Sequence, residues 1–389
     1  MSNHSFQSIL LEKFRFQPTA SQSIGFEKIS HFLSNGSKNS LLLIKGFAGT
    51  GKTTMVGHLV RQLSHVKKKS VLLAPTGRAA KVLSTYAGKS ALTIHKKIYF
   101  TKVDIGGAGI KFALKENKHV HTVFIVDESS MIGDDRQQSK LFENGSLLND
   151  LVAYVSNGKN CKLIFVGDTA QLPPVNIGLS PALDENELIT RFNTDVQSIT
   201  LEDVVRQKAE SGILFNATRI RKLLMKDQFE GFKFQLDRFN DIKCIIEGNE
   251  FLELLSNALE EDGIDQTVLI VRSNKRANLY NRSIRERILF LESELSAGDQ
   301  LMVVKNNYFW LGAHSQPGFI ANGDVIRINR INKYVDRYDM KFAEVSIQMV
   351  DYPDESEFDT VLLLETLNSE TANLSSEKSQ LLYQKMSLD

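Results

Sequence analysis

A glycine-rich loop between an apolar strand and a helix constrains this chain more than any other part of its sequence. The loop runs from Gly46 to Thr54 and reads G-F-A-G-T-G-K-T-T. It follows the apolar stretch 41–44 and precedes an expected helix over 53–64. This strand–loop–helix pattern is typical of a phosphate-binding loop, in which backbone N–H groups surround phosphate oxygens. The segment therefore predicts a nucleoside triphosphate site in an α/β fold.

Each fixed position of this loop has a chemical reason. Glycines permit the tight turn, the lysine supplies a mobile cation for the β- and γ-phosphates, and the first threonine offers a hydroxyl to Mg²⁺. The flanking strand and helix argue against the alternative, a glycine-rich turn that binds nothing. The predicted nucleotide-binding residues are Gly46, Gly49, Gly51, Lys52, Thr53 and Thr54.

Composition is that of an ordinary globular protein. The 389 residues are 42% hydrophobic and 24% charged, and the net charge of +1 gives no overall basic signal for nucleic acid. Cys161 and Cys244 are the only cysteines, which argues against a disulfide framework. Because neither a membrane-length apolar run nor a signal peptide is visible in the sequence, we expect a cytoplasmic protein.

Apolar segments alternate with helical patterns over the first 200 residues. Strands are expected at 41–45, 70–74, 122–127 and 162–167. Near-continuous apolar strands between helices predict a parallel sheet that is covered on both faces. The stretch 96–121 interrupts the alternation, and we expect an inserted hairpin or small subdomain there.

The second half of the sequence changes character. A second α/β region is expected over 201–295, with a buried strand at 267–271 and a helix from 275 to 289. Short alternating strands over 296–368 suggest a small β-barrel. Residues 369–389 are predicted to be a polar tail.

Two polar motifs follow predicted strands and carry chemistry. At the carboxyl end of a parallel strand, Asp127 and Glu128 would lie beside the phosphate loop. We expect Asp127 to hold Mg²⁺ and Glu128 to orient and deprotonate the attacking water. In the segment G-D-T-A-Q-L-P-P-V, Gln171 offers both a donor and an acceptor to the γ-phosphate and its water.

Together these segments resemble the RecD-like branch of superfamily 1 DNA helicases. The shared motifs occur in the family's order over about residues 16–332, and the set is more specific than any single motif. Besides those above, they are T-A-S-Q at 19–22, A-P-T-G-R-A-A at 74–80, T-I-H-K at 93–96, L-E-D-V-V-R-Q at 201–207, I-V-R-S-N-K-R-A at 270–277, and G-D-Q-L-M at 298–302 with N-G-D at 322–324.

The resemblance implies a P-loop RecA-like parallel-sheet core over 1–200, a second, incomplete RecA-like domain over 201–295, and an inserted SH3-like β-barrel over 296–368. It implies a helicase or translocase that uses ATP and Mg²⁺ to move on single-stranded DNA, generally 5′ to 3′, and to unwind duplexes. The expected DNA substrate is a single strand or a single/double-strand junction. DNA repair or recombination would be its setting, with proteins of those processes as partners.

Residue roles follow from the same resemblance. Gln22 would read adenine, and Arg206 would reach the γ-phosphate. Tyr99 and Phe100 of the insertion could stack on separated bases, although aromatic residues of a hairpin are often packed. The predicted catalytic residues are Lys52, Glu128, Gln171 and Arg206, and the predicted DNA contacts are Thr76, Thr93, His95 and Asn274.

The sequence departs from the family after the predicted barrel. Relatives carry a T-x-H-K-x-Q-G-like stretch and a T-R-A-like stretch there, and 333–389 contains neither. We therefore expect a truncated chain or a fragment that needs a partner. One alternative is an ATP- and single-strand-binding module with weak or no unwinding. A phosphate-loop kinase is a further alternative, which the G-D-x-x-Q-L-P-P segment disfavours.

Overall fold

The computed structural model describes residues 3–35, 40–104, 109–134, 142–174, 177–203, 211–224, 231–304 and 322–367, with isolated positions between and beyond the last two ranges. The chain forms two compact units, Met1–Gln235 and Leu236–Asp389. Among the helices of the described ranges, none has the length and apolar character needed to cross a bilayer.

The first unit alternates helices and strands, as the sequence predicts. Its helices are α1 (Asn3–Glu12), α2 (Ala20–Ser34), α3 (Lys52–Gln62), α4 (Gly77–Ala87), α5 (Ile94–Ile98), α6 (Leu147–Ser156), α7 (Glu185–Phe192) and α8 (Gly212–Leu224). Its strands are β1 (Ser40–Gly46), β2 (Lys69–Ala74), β3 (Ala91–Thr93), β4 (Tyr99–Asp104), β5 (Gly109–Leu114), β6 (Thr122–Val126), β7 (Lys162–Gly167) and β8 (Asp195–Leu201).

Six of these strands form one parallel sheet in the order β3-β2-β6-β7-β1-β8. Strand β1 pairs with β7 on one side and with β8 on the other. Its side chains alternate between two cores, because Leu42 and Ile44 face one core while Leu41 and Leu43 face the other. The predicted parallel α/β core is therefore confirmed, and the carboxyl ends of its strands share one edge.

A hairpin of β4 and β5 occupies the position of the predicted insertion. The Tyr99 ring is 4% exposed, and its hydroxyl donates to Oδ2 of Asp150 at 2.7 Å. The fully buried Asp150 carboxylate also accepts from the backbone N–H groups of Glu143 and Asn144. Tyr99 is therefore a packed anchor and not a free stacking platform, whereas the neighbouring Phe100 ring is 43% exposed.

The second unit contains an antiparallel sheet where the sequence predicts short alternating strands. The elements of this unit are α9 (Gly248–Glu261), α10 (Asn274–Arg287), β9 (Gln300–Met302), β10 (Val325–Arg337), β11 (Met340–Met349) and β12 (Phe358–Leu363). The four strands pair in the order β12-β11-β10-β9, with β12 and β9 at the edges, so closure into an SH3-like barrel stays a prediction.

The predicted buried strand at 267–271 is wrong. These residues form no strand, and the Val268 and Ile270 side chains are 78% and 89% exposed. A strand requires neighbours that satisfy its backbone N–H and C=O groups, and no described strand of this unit pairs with the segment. The helix expected after it is present as α10.

Candidate nucleotide site

The phosphate loop joins the carboxyl end of β1 to the start of α3. Gly49 and Gly51 have φ angles of 83° and 84°, in the left-handed region that favours glycine. Gly46 is required for a different reason, since a Cβ there would lie 2.8 Å from Thr50 Oγ1 and 2.9 Å from the Leu201 carbonyl oxygen. The three predicted glycines therefore set both the turn of the loop and its close approach to β8.

The Lys52 ammonium is folded onto the loop that precedes it. Its Nζ donates to the carbonyl oxygens of Gly46 at 2.6 Å and Phe47 at 3.0 Å. The Gln22 side chain supports the same loop, because its Nε2 donates to the Thr50 carbonyl at 3.1 Å. Gln22 is 3% exposed and forms a capping box at the start of α2. The structure thus brings Gln22 to the loop, while its contact with adenine stays a prediction.

Three carboxylates act on the lysine electrostatically. Burial lowers the pKa of Lys52, while the charges of Asp168, Asp127 and Glu128 raise it in opposition. These residues come from the ends of β6 and β7, at the same sheet edge as the loop. The predicted lysine and acidic pair are therefore neighbours, and Asp168 joins them.

The acidic pair is held in an unusual environment. Asp127 is 8% exposed, and its Oδ1 accepts from the Glu128 backbone N–H at 2.9 Å. Burial, with a smaller contribution from the Glu128 carboxylate, raises the pKa of Asp127 to about 6. Glu128 has φ 52° and ψ 37°, a left-handed conformation that is strained for a residue with a side chain and that clusters at functional sites.

Gln171 is joined to the acidic motif by a hydrogen bond that the sequence did not indicate. The buried Ser130 hydroxyl donates to Gln171 Oε1 at 2.9 Å. The amide nitrogen is the end of the side chain that can donate to an anion. The turn before Gln171 is fixed by Asp168, whose Oδ1 accepts from the Ala170 backbone N–H at 2.9 Å. Serine is common near the ends of strands, so the sequence does not indicate the hydrogen bond that Ser130 makes.

The donor set fits magnesium bound together with a triphosphate. Thr53 offers a hydroxyl in the first turn of α3, and Asp127 offers a buried carboxylate at the same sheet edge. Magnesium takes hard oxygen ligands and is usually held by one or two protein groups plus phosphates and water. The described residues contain no cluster of three or more His, Cys, Asp or Glu that could hold a metal independently.

The predicted DNA-contacting residues lie in different settings. Thr76 and Thr93 cap α4 and α5, and their hydroxyls accept from the backbone N–H groups of Ala79 and Lys96 at 3.3 and 3.2 Å. Both helices begin at the carboxyl ends of neighbouring strands, on the same sheet edge as the phosphate loop. Asn274 is exposed at the start of α10 in the second unit.

His95 lies among aromatic rings. Its ring centroid is 5.7 Å from that of Tyr99, 5.4 Å from that of Phe112 and 6.3 Å from that of Phe142. Burial lowers the pKa of His95 to about 4, so the ring is neutral at pH 7. This packing favours a structural contribution to the base of the hairpin. Arg206, the predicted γ-phosphate contact, lies outside the described residues.

Comparison with known proteins gives relatives that match parts of the chain. It is 30% identical over 174 residues to the ATP-dependent RecD2 DNA helicase of Deinococcus radiodurans, which covers 45% of this chain and 21% of the relative. It is 26% identical over 313 residues to the ATP-dependent DNA helicase dda of Enterobacteria phage T4, covering 75% and 63%. The RecBCD enzyme subunit RecD of Buchnera aphidicola is 30% identical over 177 residues, covering 40% and 26%.

The chain thus spans from about a fifth to just under two thirds of the length of these relatives. A likeness to the solved AMPPCP-bound DnaA from Aquifex aeolicus covers 72% of each chain at 12% identity, but its TM-score of 0.27 is too low to bear on fold or function. The family model described as AAA domain matches residues 27–230, which is more than half of the chain. The chain therefore belongs to the AAA domain family, and the named relatives confirm its resemblance to RecD-like superfamily 1 helicases.

Proposed function

We propose that this chain is an ATP hydrolase that works as a DNA helicase or translocase of the RecD-like type. One observation carries the proposal: the Lys52 ammonium lies in the field of carboxylates from the ends of β6 and β7. Such a set, on the edge of a parallel sheet that also bears a phosphate loop, suits phosphoryl transfer to water. Relatives that are named ATP-dependent DNA helicases support this reading.

The proposed chemistry is hydrolysis of the terminal phosphoanhydride of ATP. Loop N–H groups and the Lys52 ammonium would bind the β- and γ-phosphates, and Thr53 and Asp127 would hold Mg²⁺. When bound, Mg²⁺ neutralises charge on the phosphate oxygens. Glu128 would accept a proton from the attacking water as its oxygen bonds to the γ-phosphorus. The bond to the β,γ-bridging oxygen would break, and ADP and inorganic phosphate would leave.

Three further residues are proposed for the nucleotide. The Gln171 amide nitrogen would donate to the γ-phosphoryl group, since its oxygen is engaged by Ser130. Gln22 would read adenine, and Arg206 would approach the γ-phosphate. The last two assignments rest on the family resemblance.

For DNA, we propose a single strand or a strand junction as substrate. Thr76 and Thr93 would contact DNA phosphates from the starts of α4 and α5, which lie at one sheet edge. Phe100 is the exposed aromatic of the hairpin and would stack on a base. Asn274 and His95 stay proposed contacts from the resemblance, as do 5′ to 3′ movement and a setting in repair or recombination.

The proposed domains follow the family. A first RecA-like domain would occupy 1–200, a second, partial one 201–295 and an SH3-like barrel 296–368, with a polar tail over 369–389. The parallel sheet supports the first of these, and the four-stranded antiparallel sheet supports the third.

Steady-state ATP hydrolysis, measured with and without single-stranded DNA, tests this function. We expect stimulation by DNA, and we expect Lys52→Ala to lower the rate by a factor of about 100 or more because it removes a cation from the developing charge. Lys159→Ala is the matched control, since this exposed lysine precedes β7 at the opposite sheet edge. Turnover that ignores DNA and survives Lys52→Ala would overturn the proposal.

The alternative is a module that binds ATP and single-stranded DNA without separating strands. Fluorescence anisotropy with a labelled oligonucleotide, run beside a strand-separation assay, distinguishes the two. Binding together with ATP-dependent unwinding supports the helicase. Binding without unwinding supports the module.

A further inference from the structure

An arginine that belongs to none of the family motifs lies against the phosphate loop. Arg221 is half-buried in the last turn of α8, and its guanidinium carbon is 5.0 Å from the centroid of the Phe47 ring. Phe47 is the second residue of the loop. A guanidinium stacked on an aromatic face at this distance is attracted to it and loses freedom of movement.

Arg221 approaches the same end of the phosphate loop as the Lys52 ammonium group. Lys52 Nζ donates to the Phe47 carbonyl at 3.0 Å, so one residue contacts both cations. Burial is the main cause that lowers the pKa of Lys52, and the positive charge of Arg221 adds a smaller lowering, as expected for two nearby like charges. Such a pair is unfavourable unless an anion lies close to both, and the lysine of a phosphate loop binds the β- and γ-phosphates.

The Arg221 guanidinium has no hydrogen-bond or ion-pair partner among the residues that the structure describes. Its neighbour on the helix behaves differently, because Arg219 donates to the Lys233 carbonyl oxygen at 3.1 Å. Guanidinium carries five N–H donors in a fork that matches phosphate oxygens. The stacked ring positions Arg221 while leaving these donors unused by the described protein.

We propose that Arg221 binds the terminal phosphate of the nucleoside triphosphate, as a second cation beside Lys52. The assignment rests on the proposed function of the loop and deepens it, because it makes the site sensitive to the presence of the γ-phosphate. Arg221 would therefore favour ATP over ADP. It would act from within the first unit, independently of any arginine outside the described residues.

Equilibrium binding of fluorescent ATP and ADP analogues with Mg²⁺ tests this assignment. For Arg221→Ala, we expect affinity for the ATP analogue to fall about 10- to 100-fold and affinity for the ADP analogue to change less than about twofold. Arg221→Lys keeps the charge but loses the fork, so a smaller loss of about three- to tenfold is expected. Lys222→Ala, at the exposed neighbouring position, is the matched control and should bind like the wild type.

Two results would overturn the assignment of Arg221. One is an unchanged ratio of ATP to ADP affinity in Arg221→Ala, and the other is an equal loss for both nucleotides with a lower melting temperature, which is the signature of packing on Phe47 alone. Lys52→Ala separates this failure from failure of the proposed function. If wild type binds ATP and Lys52→Ala does not, the assignment of the phosphate loop as the nucleotide site is supported, whether or not Arg221 takes part. If neither variant changes ATP binding, the proposed function fails.

Discussion

Two mostly apolar segments of this molecule, residues 41–44 and residues 267–271, differ in structure, because the first is a buried strand and the second forms no strand. Residues 41–44, in β1, are at most 5% exposed and pair with β7 and β8. Residues 267–271 are also mostly apolar and are likewise followed by a turn or loop and a helix, but they form no strand and two of their side chains are mostly exposed. An apolar run becomes a buried strand when partners on both sides take its backbone groups. The pairing of β1 with its neighbours fixes the end of the strand, which is where the phosphate loop begins.

The largest expected effect is the difference between the two segments in how much they contribute to the free energy of unfolding. Leu42→Ala removes a fully buried side chain from the core, so the free energy of unfolding should fall by about 2–5 kcal/mol. Ile270→Ala removes a side chain that is 89% exposed and should change it by less than about 0.5 kcal/mol. Urea unfolding of both variants measures the difference. Equal losses would show that residues 267–271 are packed as firmly as β1.

A second prediction concerns pH and the buried carboxylate at the end of β6. The unfolded chain releases the Asp127 proton near pH 4, whereas the folded protein holds it to about pH 6. Folding therefore takes up a proton between these values, and ionising Asp127 lowers the free energy of unfolding by about 2–3 kcal/mol as pH rises from 4 to 6. Below pH 4 this penalty is absent, and above pH 6 it is complete.

Asp127→Asn removes this titration while keeping an acceptor for the Glu128 N–H. Its stability relative to wild type should rise by about 2–3 kcal/mol between pH 4 and pH 7. Denaturant unfolding at several pH values measures this. A difference between the two proteins that does not vary with pH would contradict the burial of an ionised Asp127.

The smallest expected effect compares the hairpins of the two units. Tyr99→Phe deletes the hydroxyl that donates to the buried Asp150 carboxylate. We expect the free energy of unfolding to fall by about 1–3 kcal/mol. Tyr334→Phe, on β10, changes a side chain that is 56% exposed and should have little effect. Thermal unfolding of the two variants gives the comparison. Similar melting temperatures would mean that Tyr99 does not anchor its hairpin.

Sequence reasoning predicted the parts of the fold and site that depend on local pattern. The phosphate loop, the strands around it and the acidic pair each carry residue types that their chemistry requires. Whether residues 267–271 form a strand depends on the strands that lie beside them in the fold, and a local sequence pattern does not reveal those neighbours. The Ser130–Gln171 bond and the Phe47–Arg221 stack join residues 41 and 174 positions apart, and ordinary serine or arginine gives no signal of such contacts.

Single-turnover hydrolysis of ATP, with single-stranded DNA present, tests the central claim most directly. Glu128→Gln keeps the size and hydrogen bonding of the side chain but removes its capacity to take a proton from water. The variant should bind ATP within about threefold of wild type and cleave it about 10²- to 10⁴-fold more slowly. Hydrolysis by Glu128→Gln at the wild-type rate would contradict the assignment of this sheet edge as the hydrolytic site.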